Sequence, residues 1–240
     1  FMRAIAIIAP GIFLSQPPMA PNKAIYALDL LGFGCTAYPP SVSIGPDTIR
    51  QHLYATWRQL IDRPVALLGA SLGGAVAIDF ALRYPDCVKQ LILVDSVGFS
   101  GSFPLGQYLD ASLLNWGATW LRFRKHAALQ VMTMLPFADP ILKDKLLCTL
   151  LHQSMPSWQS AVVSFTQSGG YGHLSPQISA IQPPTLIIWG DRDTTLGTED
   201  AWKFKQAIPH SHLVWIKGAE HAPHLDAPAA VAKAILQELE

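Results

Sequence analysis

The sequence predicts an α/β protein with a mostly parallel sheet and helices on both faces. Short, nearly continuous apolar runs at residues 65–68, 91–94 and 185–189 are typical of parallel strands that are buried on both sides. The chain has 240 residues, half of them apolar, and no net charge, which suits one domain with a sizeable core. Stretches with helical spacing separate or flank these runs. They cover residues 46–61, 71–84, 201–208 and 228–240.

The most informative segment is residues 69–74, where Gly-Ala-Ser-Leu-Gly-Gly joins the run 65–68 to a helix-like stretch. A serine at such a turn has a strained backbone and holds its hydroxyl above the sheet. Gly69 and Gly73 let the neighbouring backbone pass close by. This strand, turn and helix together predict that Ser71 is the nucleophile of a nucleophile elbow.

The elbow predicts two partners for the serine. A serine hydroxyl is a weak nucleophile until a histidine accepts its proton and a carboxylate orients that histidine. Asp191 and Asp193 follow the apolar run 185–189, and His221 follows the run 213–216. Because loops at the ends of parallel strands share one edge of the sheet, we predict that Ser71, His221 and one of these two aspartates form a catalytic triad.

Four motifs, in order along the chain, resemble those of the α/β-hydrolase superfamily. Residues 26–34 (YALDLLGFG) are similar to its fourth strand and following turn, and 91–95 (LILVD) to its sixth strand. Residues 189–193 (WGDRD) resemble the acid loop, and 221–228 the histidine loop. The resemblance implies the α/β-hydrolase fold, with a helical cap inserted after the sixth family strand, and it gives the acid's role to Asp193.

Two alternatives concern the acid and a metal. Some members of the superfamily take their acid from the end of the sixth strand, so Asp95 competes with Asp193, although the acid-loop pattern fits Asp193 better. His221, His224 and Asp226 could form a metal site, but no helix carries them and the chain has no H-E-x-x-H motif. We predict neither a metal nor a cofactor.

The resemblance places an oxyanion hole at two backbone N–H groups. One belongs to Leu72, at the start of a helix whose dipole favours negative charge. The other belongs to the loop after the family's third strand, which usually begins His-Gly. Here residues 9–12 read Ala-Pro-Gly-Ile, with Pro10 in place of the histidine. Because Gly11 keeps the freedom that such a turn needs, Ile12 is the expected second donor.

The amino-terminal part departs from the family pattern. Members of the superfamily have two antiparallel strands before the third, whereas residues 4–9 already resemble that third strand, so we expect those amino-terminal strands to be missing. Pro17, Pro18 and Pro21 also disfavour a crossover helix in the short stretch 12–23. A natural short form and a fragment both fit this pattern.

Residues 97–179 differ in composition from the rest of the chain. They are rich in aromatic side chains and methionine and contain three helix-like runs, which we expect to form the cap over a core of residues 1–96 and 180–240. Most of these aromatics and methionines should pack between cap and core, and together they predict an apolar roof over the pocket. The helix-like runs cover 111–134, 141–152 and 157–167.

Charge, hydropathy and cysteine content narrow the class of partner. The chain has no basic stripe of the kind that binds nucleic acid, and its scattered charges favour neutral or apolar small molecules. No apolar run is long enough to span a membrane.

Three widely spaced cysteines, Cys35, Cys87 and Cys148, argue against a disulfide framework and for a reducing, cytoplasmic compartment. The oligomeric state stays open.

The residues and the resemblance together predict a serine hydrolase of the esterase or lipase kind. Its substrate would be a neutral, hydrophobic carboxylic ester, cleaved through an acyl-enzyme. Serine rather than aspartate at position 71 disfavours the dehalogenase and epoxide-hydrolase branches. Two alternatives stay open: a carbon–carbon bond hydrolase that uses the same triad, and a ligand-binding protein on a hydrolase scaffold.

Overall fold

A computed structural model describes residues 3–8, 23–34, 36, 41–134 and 140–239. The predicted crossover at 12–22 and Cys35 lie outside these residues. The strands are β1 (Arg3–Ile8), β2 (Lys23–Leu28), β3 (Val65–Ala70), β4 (Val88–Val94), β5 (Thr185–Gly190) and β6 (His212–Ile216). The helices are α1 (Pro46–Leu60), α2 (Leu72–Arg83), α3 (Ala111–Met134), α4 (Pro140–Ser154), α5 (Trp158–Gln167), α6 (Glu199–Ala207), α7 (Pro223–Asp226) and α8 (Pro228–Glu238).

The strands form one parallel sheet in the order β2-β1-β3-β4-β5-β6. From β1 the chain adds β2 on one side, and it then adds β3 to β6 on the other side. The order therefore reverses between β1 and β3, and ligands bind outside the carboxyl ends of the strands at such a point. The turn after β3, which contains Ser71, lies at this point.

Helices cover both faces of the sheet, as the sequence predicts. Successive side chains of a strand point to opposite faces. Leu67 packs in a core that includes residues of α1, α2 and α6, whereas the next residue, Leu68, packs in a second core with residues of α8. Every residue of β3 and β5 is buried. Burial on both faces of the sheet explains why these strands are continuously apolar in sequence.

Helices α3, α4 and α5 lie in sequence between β4 and β5 and pack against one another. We expected most aromatic residues of this stretch to pack against the core. The expectation is confirmed for Trp158 and Tyr171, which are buried. It is wrong for Trp116, Trp120 and Phe123, whose exposed fractions are 65%, 45% and 69%. These three lie on the side of α3 away from its neighbouring helices.

Two further predictions concerned the cysteines and membrane-spanning segments. Cys87 is a buried free thiol whose pKa is raised, above all by burial, so it stays neutral and packs as a small apolar group. None of the helices in the described ranges is long and apolar enough to cross a bilayer.

Candidate active site

Ser71 alone forms the turn between β3 and α2. Its φ of 50° and ψ of −119° lie in a region that costs a residue with a side chain about 1–3 kcal/mol. The surrounding backbone holds it there. The N–H of Ser71 donates to the carbonyl of Val94 at 3.0 Å, and the N–H of Val97 donates to the carbonyl of Ser71 at 3.1 Å. The end of β4 thereby fixes the serine.

Glycines next to Ser71 are required by close backbone contacts. A Cβ on Gly69 would lie 2.2 Å from the carbonyl oxygen of Gly73, and a Cβ on Gly74 would lie 2.1 Å from Oγ of Ser96. Both distances are far below van der Waals contact. The turn requires glycine at position 69, and the contact with Ser96 requires it at position 74.

The structure brings Ser71, His221 and Asp193 into one hydrogen-bonded series. Nδ1–H of His221 donates to Oδ2 of Asp193 at 2.9 Å, and the hydroxyl of Ser71 donates to Nε2 of His221 at 3.0 Å. These directions correspond to a neutral imidazole whose tautomer is assigned from its two partners. Ser71 and His221 are 150 residues apart in sequence, so only the fold unites them.

The carboxylate of Asp193 is held at both oxygens. Its side chain is fully buried, and Oδ1 accepts hydrogen bonds from the backbone N–H of Thr195 at 2.7 Å and Leu196 at 3.1 Å. This leaves Oδ2 directed at His221. The carboxylate therefore has the fixed position that orienting an imidazole requires.

Backbone contacts tie the Asp193 loop to the His221 loop. Oδ1 of Asp191 accepts a hydrogen bond from the N–H of Gly218 at 2.7 Å. The N–H of Arg192 donates to the carbonyl of Ala219 at 2.9 Å. Because these bonds link residues directly before the acid and the histidine, they fix the separation of the two functional side chains.

Asp95 lies beside this series but has a different environment. The residue is 1% exposed; Oδ1 accepts a hydrogen bond from the N–H of Gly190 at 2.9 Å, and Oδ2 has no hydrogen-bond partner among the described residues. Burial, with the nearby carboxylate of Asp193 as a smaller cause, raises the pKa of Asp95 to about 8. The carboxyl group is therefore mostly protonated at neutral pH.

One group of side chains in the described part of the chain could offer three donor atoms to a metal ion. One donor atom each from Asp95, Asp193 and His221 lies within 4.8 Å of the others. Nδ1 of His221 is already hydrogen-bonded to Asp193, while Nε2 faces Ser71. A cation would compete with a complete hydrogen-bond arrangement, and we infer no metal chemistry from this group.

Of the two predicted oxyanion donors, the structure describes Leu72 and does not describe Ile12. Leu72 is the first residue of α2, so its N–H has no acceptor within the helix and lies at the positive end of the helix dipole. Its role as the first oxyanion donor stays a prediction that this position supports. Ile12 lies outside the described residues, and its role as second donor stays a prediction.

Helix α4 reaches both ends of the carboxyl edge of the sheet, and the residue before α5 reaches one of them. Beyond the edge strand β2, the N–H of Gly34 donates to Nδ1 of His152 at 3.2 Å, and the hydroxyl of Ser157 donates to the carbonyl of Gly32 at 3.1 Å. Beyond the other edge strand, β6, α4 packs against α7, which begins two residues after His221. Helix α4 therefore extends across the strand ends, where Ser71 lies.

Sequence reasoning did not identify His152 as a contact to this edge. Its ring stacks on Phe33 with centroids 5.8 Å apart, in addition to the bond from Gly34. Since the bonded residues are 118 positions apart, no local pattern signals the contact.

Comparison with known proteins places this site in a family. A model of the "Alpha/beta hydrolase family" matches residues 7–234. The "Alpha/beta hydrolase domain-containing protein VTE7" of Arabidopsis thaliana is 29% identical, over 88% of this chain and 64% of that protein. The human "(Lyso)-N-acylphosphatidylethanolamine lipase" is 28% identical, over 94% of this chain and 74% of that protein. The chain thus spans about two thirds to three quarters of these relatives.

A bacterial relative and a solved structure agree with this placement. The 2-hydroxymuconate semialdehyde hydrolase of Pseudomonas sp. (strain CF600) is 34% identical, over 83% of this chain and 70% of that protein. The crystal structure of a serine hydrolase involved in carbazole degradation has a TM-score of 0.75 at 22% identity and covers 99% of this chain and 90% of that one. The family match, the sheet order and the fold likeness lead to one conclusion: the chain belongs to the alpha/beta hydrolase family.

Proposed function

We propose that the chain is a serine hydrolase that cleaves a neutral, hydrophobic carboxylic ester through an acyl-enzyme. The observation that carries the proposal is the series of two hydrogen bonds from Ser71 to His221 and from His221 to Asp193. A nucleophile, a base and an orienting carboxylate in hydrogen-bond contact are what acyl transfer requires.

In the first half-reaction, Oγ of Ser71 adds to the ester carbonyl carbon while its proton moves to Nε2 of His221. Asp193 stabilises the imidazolium through Nδ1–H. The N–H groups of Leu72 and Ile12 bind the oxyanion of the tetrahedral intermediate. As the intermediate collapses, the carbon–oxygen bond breaks, and the alcohol leaves with the proton from His221.

In the second half-reaction, water replaces Ser71 as the nucleophile. His221 takes a proton from the water, and the resulting hydroxide adds to the carbonyl carbon of the acyl-enzyme. Collapse of the second tetrahedral intermediate breaks the bond to Ser71 and releases the carboxylic acid, while His221 returns the proton to Oγ. The enzyme ends in its starting protonation state.

We further propose that residues 97–179 act as a cap over a core of residues 1–96 and 180–240. The contacts of α4 at both ends of the carboxyl edge, and of Ser157 at one of them, support this division. A helical cap in this place excludes water and gives the acyl chain an apolar surface. Relatedness to a human lipase whose name specifies an N-acylated phospholipid also favours a hydrophobic acyl substrate.

Carbon–carbon bond hydrolysis is the second candidate. It is favoured by the 34% identity to a bacterial 2-hydroxymuconate semialdehyde hydrolase. The same Ser71, His221 and Asp193 could serve both reactions, so the substrate decides between them. A panel that contains neutral esters and a dienol acid of the muconate semialdehyde type distinguishes the two candidates by kcat/KM.

Labelling with a fluorophosphonate tests the nucleophile. We expect the wild-type chain to be labelled and Ser71→Ala to lose both labelling and ester turnover. Ser96→Ala is a matched control, because Ser96 also follows a central strand but is fully buried, and its hydroxyl donates to the carbonyl of Val97. Full labelling of Ser71→Ala would contradict the assignment. A wild-type chain that is neither labelled nor active would favour the ligand-binding alternative.

A further inference from the structure

Exposed apolar surface is concentrated in one part of the molecule. Of the fifteen large apolar side chains that are exposed among the described residues, twelve lie between positions 103 and 151. Single exposed apolar residues are normal on a protein surface, but a contiguous group marks an interaction site. The exposed apolar side chains in this segment, which includes α3, therefore indicate an interaction site.

Helix α3 carries the most regular part of this surface. Six of its large apolar side chains recur at intervals of three, four or eight residues, which places them on one side of a helix. Their exposed fractions range from 45% to 81%, and Ala118 is the buried residue of the helix. We name this set the outer stripe. It consists of Leu113, Trp116, Trp120, Phe123, Val131 and Met134.

The charges of α3 are all of one sign. The helix contains Arg122, Arg124 and Lys125 and no aspartate or glutamate, although cations and acids are equal in number over the whole chain. The guanidinium carbon of Arg124 lies 4.7 Å from the ring centroid of Trp120. This cation–π contact sets a positive charge at the margin of the outer stripe.

We propose that the outer stripe docks on the surface of an anionic phospholipid bilayer, with α3 parallel to the membrane plane. Apolar and aromatic side chains on one side of a helix, with the cation of Arg124 at their margin, are the features of a helix that inserts at the interface. Tryptophan is favoured at that depth because its ring is apolar and its N–H is polar. Arg124, beside Trp120, meets the negative surface potential of the lipid.

A second copy of the chain fits the outer stripe less well. A symmetric dimer would set the same surface of two molecules face to face, so Arg124 of each copy would meet a helix that has no acid. Because α3 has no acid, this contact would lack charge complementarity. An anionic lipid surface supplies the missing negative charge.

This inference goes beyond the proposed hydrolysis, since docking needs the outer stripe and no member of the triad. It would bring the enzyme to the surface where hydrophobic acyl groups are concentrated. The two proposals can therefore fail separately: a chain with Ser71→Ala should lose labelling and turnover and still bind vesicles.

Flotation with lipid vesicles tests the docking surface. We expect the wild-type chain and Ser71→Ala to float with vesicles of phosphatidylcholine and phosphatidylserine, more weakly with phosphatidylcholine alone, and less at high salt. The triple variant Trp116→Ser, Trp120→Ser, Phe123→Ser should bind at least about 100-fold more weakly. Arg124→Gln, which removes the positive charge at the margin of the outer stripe, should weaken binding about fivefold on the mixed vesicles.

Trp202→Ser is the matched control, because Trp202 is 55% exposed on α6, outside this segment. It should bind vesicles like the wild type. Circular dichroism checks that the triple variant is folded, and the single variants Trp116→Ser and Phe123→Ser, each with a smaller loss of binding, serve if it is not. A wild-type chain that fails to float with the mixed vesicles, or folded stripe variants that float unchanged, would overturn the proposal. So would a lipid-free dimer, seen by analytical ultracentrifugation, that the stripe substitutions dissociate.

Discussion

Strand β5 and helix α3 use apolar residues in opposite ways. All six residues of β5 are buried, whereas the 24 residues of α3 have Ala118 as their buried member. In β5, packing on both faces and the position of the Asp193 loop restrict each side chain. In α3, the outer stripe makes no such contacts. The core therefore determines the fold and the site, and α3 is free to determine what the molecule contacts.

The largest expected effect lies in the core, at Asp193. Asp193→Asn should lower kcat/KM by about 10⁴-fold, because the amide favours the wrong tautomer of His221. Asp95→Asn should change kcat/KM little at pH 7, because the protonated carboxyl of Asp95 is already neutral and Nδ1 of His221 is hydrogen-bonded to Asp193. Ester turnover is measured on both variants, with folding checked by thermal melting. An inactive Asp95 variant beside an active Asp193 variant would move the acid to the end of β4.

The next largest effect is on stability and depends on pH. The pKa of Asp95 rises from 3.8 to about 8 on folding. Between about pH 4 and pH 8, the folded protein holds a proton that the unfolded chain releases, so stability falls as pH rises through this window. Above pH 8 the cost of the buried charge has an upper limit on the order of 5 kcal/mol.

Asp95→Asn removes this cost while it keeps the shape of the side chain. Its free energy of unfolding should match that of the wild type near pH 4 and exceed it by an increasing amount up to pH 8 or 9. Urea denaturation at several pH values measures the difference. Equal pH dependence in the two proteins would mean that Asp95 is ionised in the folded state.

A matched pair of phenylalanines compares the two regions directly. Phe204 on α6 is fully buried and contacts Phe99 edge to face at 4.9 Å, whereas Phe123 on α3 is 69% exposed. Phe204→Ala should destabilise the protein by about 3–5 kcal/mol through a lost core contact and a cavity. Phe123→Ala should stay within about 0.5 kcal/mol of the wild type. A large loss at Phe123, measured by urea denaturation, would show that the outer stripe packs against the protein itself.

The same contrast explains what the sequence could predict. Apolar runs placed β3, β4 and β5 within a few residues of their observed bounds, and the helical pattern at 111–134 matches α3, because both signals are local. Ser71, Asp193 and His221 were predictable because each follows a strand in a parallel sheet whose loops share an edge.

Other features depend on contacts between distant residues. The unpartnered oxygen of Asp95 results from packing among three strands, and the bond from Gly34 to His152 joins the turn after β2 to α4. The sequence pattern of α3 does not indicate which side of the helix packs against the rest of the protein. Its aromatics were predicted to pack inward, since a sequence period gives the faces of a helix but not the partner of each face.

The smallest expected effect concerns the inner side of the cap that we propose. If the cap gives the acyl chain an apolar surface, each added methylene should contribute up to about 0.8 kcal/mol, or about fourfold in kcat/KM, until the pocket is full. Soluble p-nitrophenyl esters from acetate to medium-chain acids measure this slope. Because Trp116 lies on the outer stripe, Trp116→Ser should leave the slope unchanged while it weakens vesicle binding. A flat chain-length profile, or a preference for acidic esters, would contradict the apolar pocket. A slope that changes in Trp116→Ser would mean that the outer stripe also contacts the substrate. The two sides of the cap would then not act separately.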